Sequence, residues 1–133
     1  MTLIDLATLF RTINLYSHHA HNLTSGDTFM QDHAFFGEVY DLADTFYDDC
    51  IERHIGTQDD KVDLCNIIKD AYDLIEKMSD DYYKTILVLS EEATNCIDEM
   101  CKSDKLSSGT ENLIQGQADQ LEVLIYKIKR RIK

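Results

Sequence analysis

The absence of proline is the feature that most limits what this chain can fold into. None of its 133 residues is proline, and only five are glycine. These two residues most often end helices and open turns, so a chain this poor in both favours long helices over many short strands. We therefore expect an all-α fold, and the length fits a single domain over residues 1–133.

Apolar residues recur every three or four positions, which is the spacing of a helix with one buried face. In the third segment this spacing predicts a buried stripe of Val62, Cys65, Ile68, Tyr72 and Ile75. The other four stripes are longer and run over Leu3–Ala20, Phe29–Cys50, Tyr82–Met100 and Ile114–Ile132. The pattern predicts a four-helix bundle with a short extra helix between the second and third long helices.

Charge and composition narrow the classes of partner. The net charge is −12, which repels nucleic acid and acidic membranes and attracts cations. The basic run from Lys127 to Lys133 has two explanations. Positive charge that stabilises the C-terminal end of a helix is the favoured one, and a nucleic-acid-binding patch is the alternative. No apolar run has the length of a membrane span, and no signal-peptide pattern is present, so we expect a cytoplasmic protein without membrane contact.

The four cysteines show neither CxxC pairs nor zinc-ligand spacing. We expect Cys50, Cys65, Cys96 and Cys101 to be reduced thiols, small enough to be buried in helices.

A row of chemically active side chains follows the second helix. Counting from His33 in helical steps gives Gly37 and then four carboxylates, which are Asp41, Asp44, Asp48 and Glu52. Like charges at this spacing repel unless water or a cation neutralises them. Spacing alone favours a solvated acidic face over a metal site, and a lone histidine on an apolar face is usually a core residue. Both explanations remain open at this point.

Two segments resemble the DNA-starvation (Dps) family of ferritin-like proteins. The first is His21-Asn-Leu-Thr-Ser-Gly26-Asp-Thr-Phe29-Met-Gln-Asp-His33, and the second is Asp48-Asp-Cys-Ile-Glu52-Arg53. The family carries His-x4-Gly-x2-Phe-x3-His followed by Asp-x3-Glu-Arg, and every spacing matches.

The resemblance implies a ferritin-like four-helix bundle assembled as a hollow homo-oligomer, a dodecamer of twofold dimers. It implies a metal site shared between twofold-related subunits, with His21 and His33 from one and Asp48 and Glu52 from the other. The implied activity is ferroxidase: binding of iron, its oxidation by peroxide or oxygen, and its storage as ferric mineral in stress protection. Zinc or another divalent ion could occupy the same ligands.

The sequence departs from the family pattern at Gly37, where an aspartate ligand is expected. The connection after Arg53 is also short and lacks prolines, and no lysine-rich arm for DNA precedes the first helix. Two alternatives therefore stay open: a degenerate helical shell without iron turnover, and a DNA-protecting architectural protein, which the net charge opposes. We expect Gly37→Asp to raise metal affinity and also to firm the helix.

His18 precedes His21 by one helical turn and lies on a similar face. A partly exposed polar residue is the commoner explanation for such a histidine, and an auxiliary metal ligand is the alternative.

Overall fold

A computed structural model describes all 133 residues of the chain, and all of its regular secondary structure is helical. Its five helices are α1 (Leu3–Leu23), α2 (Phe29–Gln58), α3 (Leu64–Glu76), α4 (Tyr82–Lys102) and α5 (Ser108–Arg131). The short helix, α3, lies in the connection between α2 and α4, as the apolar pattern predicts. None of the five has both the length and the apolar character needed to cross a membrane.

Side-chain caps explain where most of these helices begin. Thr2 and Asp5 form a reciprocal capping box before α1. Asp63, Asp81 and Ser107 each accept a backbone N–H at the starts of α3, α4 and α5. Each cap satisfies a backbone donor that the first helical turn leaves without a partner.

Contacts between helix ends give the directions of the long helices. The Tyr16 hydroxyl, near the end of α1, donates to the Ser79 carbonyl just before α4 begins. At the opposite end of the bundle, Arg53 near the end of α2 donates to Thr110 at the start of α5. Consequently α1 is antiparallel to α4, and α2 is antiparallel to α5.

The connection that contains α3 crosses the whole length of the bundle. Ile67 lines a cleft with Ile4 at the start of α1, and Leu74 lines another with Leu9. This helix therefore runs in the same direction as α1 and returns the chain from the end of α2 to the opposite end of the bundle. The result is a four-helix bundle with one long crossover.

The core is a continuous apolar cluster contributed by the four long helices. Phe10 and Phe46 meet edge to face at its centre, with ring centroids 5.1 Å apart. The side chains buried almost completely in this cluster include Leu6, Phe10, Ile13, Phe36, Val39, Ile86, Leu89, Ile97, Ile114, Leu121 and Ile128. The predicted apolar stripe of α1 is confirmed, because Leu3, Leu6, Phe10, Ile13, Ser17 and Ala20 are all buried.

The predicted stripe of α3 is wrong. Its buried residues are Ile67 and Ala71, whereas Ile68 and Tyr72 are 50% and 62% exposed. Apolar residues occur on two sides of this short helix, so periodicity could not decide which side faces the bundle. The side with Ala71 packs against α1, where a small side chain allows close approach.

The four cysteines divide into two buried and two accessible thiols, all of them free. Burial raises the pKa of Cys50 to about 12 and the pKa of Cys96 to about 11, so both stay protonated near neutral pH. Cys101 is partly buried and Cys65 is exposed. The expectation that all four would be small buried side chains is therefore wrong for Cys65.

Ser90 is the one buried side chain whose polar atom has no hydrogen-bond partner. We expect Ser90→Ala to raise the free energy of unfolding by about 1 kcal/mol, because it removes a desolvated hydroxyl that gains nothing in the folded state. Ser17→Ala is the matched control, since Ser17 is equally buried but donates to the Ile13 carbonyl at 2.5 Å. Urea denaturation checks both, and a loss of stability in Ser90→Ala similar to that in Ser17→Ala would contradict the prediction.

Candidate metal centre

His21 and His33 face each other across the turn that joins α1 to α2. The turn contains Gly26, whose φ of 96° lies in the region that favours glycine. The Phe29 N–H then donates to the Gly26 carbonyl at 3.1 Å, which sets the start of α2. The glycine of the sequence motif thus allows the chain to reverse tightly enough to bring the two histidines together.

The two imidazoles are held by a reciprocal pair of hydrogen bonds. Nδ1 of His21 donates to the His33 backbone carbonyl at 2.6 Å, and Nδ1 of His33 donates to the His21 carbonyl at 2.8 Å. The rings stack with centroids 3.6 Å apart and planes 22° apart. Each histidine therefore fixes the orientation of the other.

These hydrogen bonds also determine the chemistry of the free ring nitrogens. A carbonyl oxygen can only accept, so the proton of each neutral ring resides on Nδ1. Both Nε2 atoms consequently carry a lone pair, which is the form in which imidazole binds a metal. A carbonyl that accepts from the second nitrogen is the usual support of a metal-binding histidine.

Aromatic rings lie against this histidine pair, and both histidines are partly buried. Phe29 stacks on His33 with centroids 4.9 Å apart, and Tyr40 meets His21 edge-on at 5.3 Å. His18 also stacks on Tyr40, with centroids 4.2 Å apart and planes 16° apart. The histidine pair is therefore packed against Phe29 and Tyr40, and both imidazoles stay partly exposed.

Gly37 makes room for the His21 ring. A Cβ at this position would lie 3.3 Å from both Cε1 and Nδ1 of His21, closer than side chains normally pack. In the sequence Gly37 stands out as a missing ligand and as a weak helix former, which is why Gly37→Asp is expected to raise metal affinity and to stabilise the helix. That expectation overlooked the ring, which must shift before any side chain can be accommodated.

We expect Gly37→Ala to stabilise the protein less than the same change at Gly116 in α5. No atom lies within 4 Å of a Cβ at Gly116, so Gly116→Ala should gain about 0.5–1 kcal/mol from helix propensity alone. At Gly37 the displaced His21 ring offsets that gain. Denaturant midpoints measure the difference. Equal gains in stability at the two positions would show that the His21 ring can shift without destabilising the fold.

Asp48 and Glu52 lie far from the histidines of their own chain. Both are exposed on α2, and neither side chain takes part in a hydrogen bond or ion pair within the chain. A rise of 1.5 Å per residue places Asp48 about 22 Å, and Glu52 about 28 Å, from His33 along the helix axis. The structure therefore brings two of the four proposed ligands together and keeps the other two apart from them.

The rest of the acidic row is exposed, as expected for a solvated face. Asp41 is exposed, and Asp44 accepts from Arg11 at 3.2 Å. The Arg11 guanidinium also lies 3.7 Å from the centroid of the Tyr47 ring. One arginine from α1 therefore offsets part of the negative charge near the middle of α2.

A buried acid beside His33 was missed by sequence reasoning. Asp32 is only 6% exposed and accepts from Tyr83 at 2.5 Å, Thr28 at 2.7 Å and Arg131 at 3.4 Å. Burial alone raises the pKa of its carboxyl, but these hydrogen bonds and the Arg131 charge outweigh burial and hold the pKa below its ordinary value. The network joins α2, α4 and α5 at the end of the bundle that carries the histidine pair.

No group of three or more histidine, cysteine, aspartate or glutamate side chains within the single chain is arranged to hold a metal ion. Comparison of the chain with protein-family models, with curated proteins and with solved structures gives no match. The class that the structure establishes is an all-helical bundle. The ligand roles of His21, His33, Asp48 and Glu52 stay predictions.

Proposed function

We propose that this protein binds ferrous iron and oxidises it at a site shared by two twofold-related copies, in a ferritin-like cage of the Dps type. The observation that carries the proposal is the reciprocal hydrogen bonding of His21 and His33. It prepares two Nε2 lone pairs in fixed positions, an arrangement that core packing alone does not require. In this proposal, His21 and His33 face Asp48 and Glu52 of the neighbouring copy.

The course of the chain supports the ferritin-like part of the proposal. Ferritin-like bundles have one long crossover between their second and third long helices. Here the connection through α3 is a crossover of that kind, since it runs parallel to α1 from one end of the bundle to the other.

The spacing of ligands along α2 supports a twofold axis. If His33 meets Asp48 and Glu52 of a second copy, the axis passes halfway between them, around Asp41 and Leu42. This point is close to the middle of α2, which spans Phe29–Gln58. Two antiparallel copies of this helix would then overlap over most of their length and form two equivalent sites.

The donor set fits iron. Two neutral imidazoles and two carboxylates are ligands that Fe²⁺ accepts, and carboxylate charge stabilises the ferric product more than the ferrous substrate. His33 or His21 would position the ion, while Asp48 and Glu52 of the neighbouring copy would supply its compensating charge. Peroxide or oxygen would accept the electrons.

Gly37 supports the second candidate function, a cage or interaction shell that binds metal without turnover. The missing carboxylate leaves the histidine side of the site without negative charge, so a second iron position would be weak. The two candidates share one fold and one assembly and differ only in catalysis.

Anaerobic titration with ferrous iron, followed by stopped-flow mixing with peroxide, tests the proposal. We expect light scattering to detect a homo-oligomer, most simply a dodecamer, that binds iron and oxidises it more slowly after His21→Ala. Binding without oxidation would favour the shell. A monomer at micromolar concentration that binds no iron would contradict both candidates. A gel shift should show weak or no DNA binding, because the chain carries a charge of −12. Any binding should depend on the basic run from Lys127 to Lys133 and should fade as salt rises.

A further inference from the structure

A cleft between α1, α3 and α4 has an apolar bottom and an acidic rim. Its volume is about 410 Å³. Leu9 and Cys96 are buried and form the bottom, while Asp70, Glu92 and Glu99 are exposed around the rim. None of these three carboxylates forms an ion pair within the chain. The rim therefore carries uncompensated negative charge beside an apolar surface.

The spread of this charge suits a partner that is larger than an ion. No three carboxylates are arranged to hold one metal ion. Glu92 and Glu99 are seven residues apart on α4, so the rim extends for about 10.5 Å. The only positively charged group among the lining residues is the Met1 amino group, which lies 4.0 Å from Asp5. The cleft is thus complementary to a surface that combines apolar side chains with several cations.

Such a surface lies near the end of α5. Val123, Tyr126, Lys127 and Arg130 are spaced i, i+3, i+4 and i+7, so they share one face of the helix. Val123 is 52% exposed and Tyr126 is 64% exposed. Neither Lys127 nor Arg130 forms an ion pair within the chain. This face spans seven residues, about 10.5 Å, which matches the length of the acidic rim.

One chain cannot bring its own two surfaces together. Val123 and Lys127 also line a groove between α2 and α5, whereas the acidic cleft lies between α1 and α4, on the opposite side of the bundle. Arg131 pairs with Asp32 on α2, which keeps the end of α5 on its own side. The cleft must therefore take a surface from another molecule.

The distribution of charge selects a second copy of this chain as that molecule. Residues 1–126 carry a net charge of −17, and residues 127–133 carry +5. Two copies consequently repel each other in most orientations. They attract each other when the basic end of α5 in one copy approaches an acidic surface of the other.

We propose that the exposed face of α5 in one copy packs into the acidic cleft of the next copy. Val123 and Tyr126 then cover the apolar bottom, and Lys127 and Arg130 lie beside the rim carboxylates. Because the two surfaces differ, this contact joins copies head to tail. A twofold contact alone ends at a dimer, whereas a twofold and a head-to-tail contact together can close into a cage. To that extent the inference rests on the proposed function, although the contact itself needs no metal.

Charge reversal tests this contact from both sides. Lys127→Glu with Arg130→Glu places like charges together, and so does Glu92→Lys with Glu99→Lys. We expect each pair of substitutions to weaken assembly beyond the dimer at least about a hundredfold, measured by light scattering. Zn²⁺ bound per chain should stay as in wild type, because the dimers keep the shared site. Rising salt should dissociate the wild-type assembly in the same way.

Combining all four substitutions should restore assembly, because the charges are then exchanged between the two surfaces. Asp98→Lys with Asp119→Lys is the matched control, since both acids are exposed but line a different groove, between α4 and α5. When the control pair is added to Lys127→Glu and Arg130→Glu, it restores the same net charge in the wrong place. Assembly should then stay lost.

Wild-type assembly of the Lys127→Glu, Arg130→Glu protein would overturn the contact. If that protein had also lost weak DNA binding, this face of α5 would belong to nucleic acid. A combined variant that stays dissociated would overturn the contact as well. A wild type that stops at a dimer with bound Zn²⁺ would overturn the contact and leave the shared site standing. Assembly that depends on both surfaces but lacks tight Zn²⁺ sites would do the reverse, and a wild-type monomer would overturn both.

Discussion

Asp32→Ala is expected to lower the free energy of unfolding by about 3 kcal/mol, because it removes a buried acceptor that several donors share. The Tyr83 hydroxyl donates to this carboxylate at 2.5 Å and Thr28 at 2.7 Å, while Arg131 approaches to 3.4 Å. Without the carboxylate, the partly buried Tyr83 hydroxyl loses its acceptor, and Arg131 at the end of α5 loses its ion pair with α2 and keeps only its hydrogen bond to Thr28 at 3.3 Å.

Asp44→Ala is the matched control for this change. Asp44 also lies on α2 and also pairs with an arginine, Arg11 at 3.2 Å, but its side chain is 64% exposed. Water screens such a pair, so its loss should cost less than about 1 kcal/mol. Denaturant unfolding of both variants measures the contrast. Similar losses in the free energy of unfolding at the two positions would mean that the Asp32 network stabilises the fold no more than a surface ion pair does.

The same network makes stability depend on pH in a definite direction. The folded-state pKa of Asp32 lies below its ordinary value. Its contribution is therefore complete above the unfolded pKa of about 3.9 and is lost as the pH falls through the folded pKa. Wild type should lose stability over this acidic range, and Asp32→Ala should lose correspondingly less.

Glu52→Ala is expected to lower metal affinity about a hundredfold or more, although Glu52 lies about 28 Å from the histidines of its own chain. The reason is that a neighbouring copy would bring its Glu52 to His21 and His33. Asp41→Ala removes the same charge from the same row at a point only about 12 Å from His33 along α2. If the shared site is correct, the more distant residue has the larger effect.

Calorimetric titration with Zn²⁺ compares the two variants. A larger loss in Asp41→Ala than in Glu52→Ala would indicate that metal affinity follows the charge within a single chain. The shared geometry would then be wrong, whatever the number of subunits.

Local patterns in the sequence were enough to predict the number of helices and much of the core. Leu6, Phe10 and Ile13 recur at helical spacing, and all three are buried. The proximity of His21 and His33 also follows from local information, because a turn with a glycine at a fixed place separates them. The structure adds the reciprocal hydrogen bonds that fix their tautomers.

Interactions between distant parts of the chain could not be predicted in this way. Asp32 pairs with Tyr83, 51 residues away, and with Arg131, 99 residues away, so no local pattern signals their meeting. The buried side of α3 was also undetermined, because Ile67 and Ile68 are neighbours on different faces and α1 packs against only one. The one available signal for this network was an acid, Asp32, directly before a candidate ligand histidine, His33. That signal does not reveal that the acid is buried or which residues pair with it.

Coexpression of His33→Ala and Glu52→Ala chains tests the shared site most directly. Each variant alone should lack tight metal sites, because every site lacks one ligand. In a dimer that contains one chain of each kind, one site lacks both ligands, whereas the other combines an intact His33 with an intact Glu52. Random pairing of equal amounts should therefore restore about one tight site in four, measured as Zn²⁺ bound per chain. Oligomers that contain both chains but no tight site would contradict a metal centre built from two subunits.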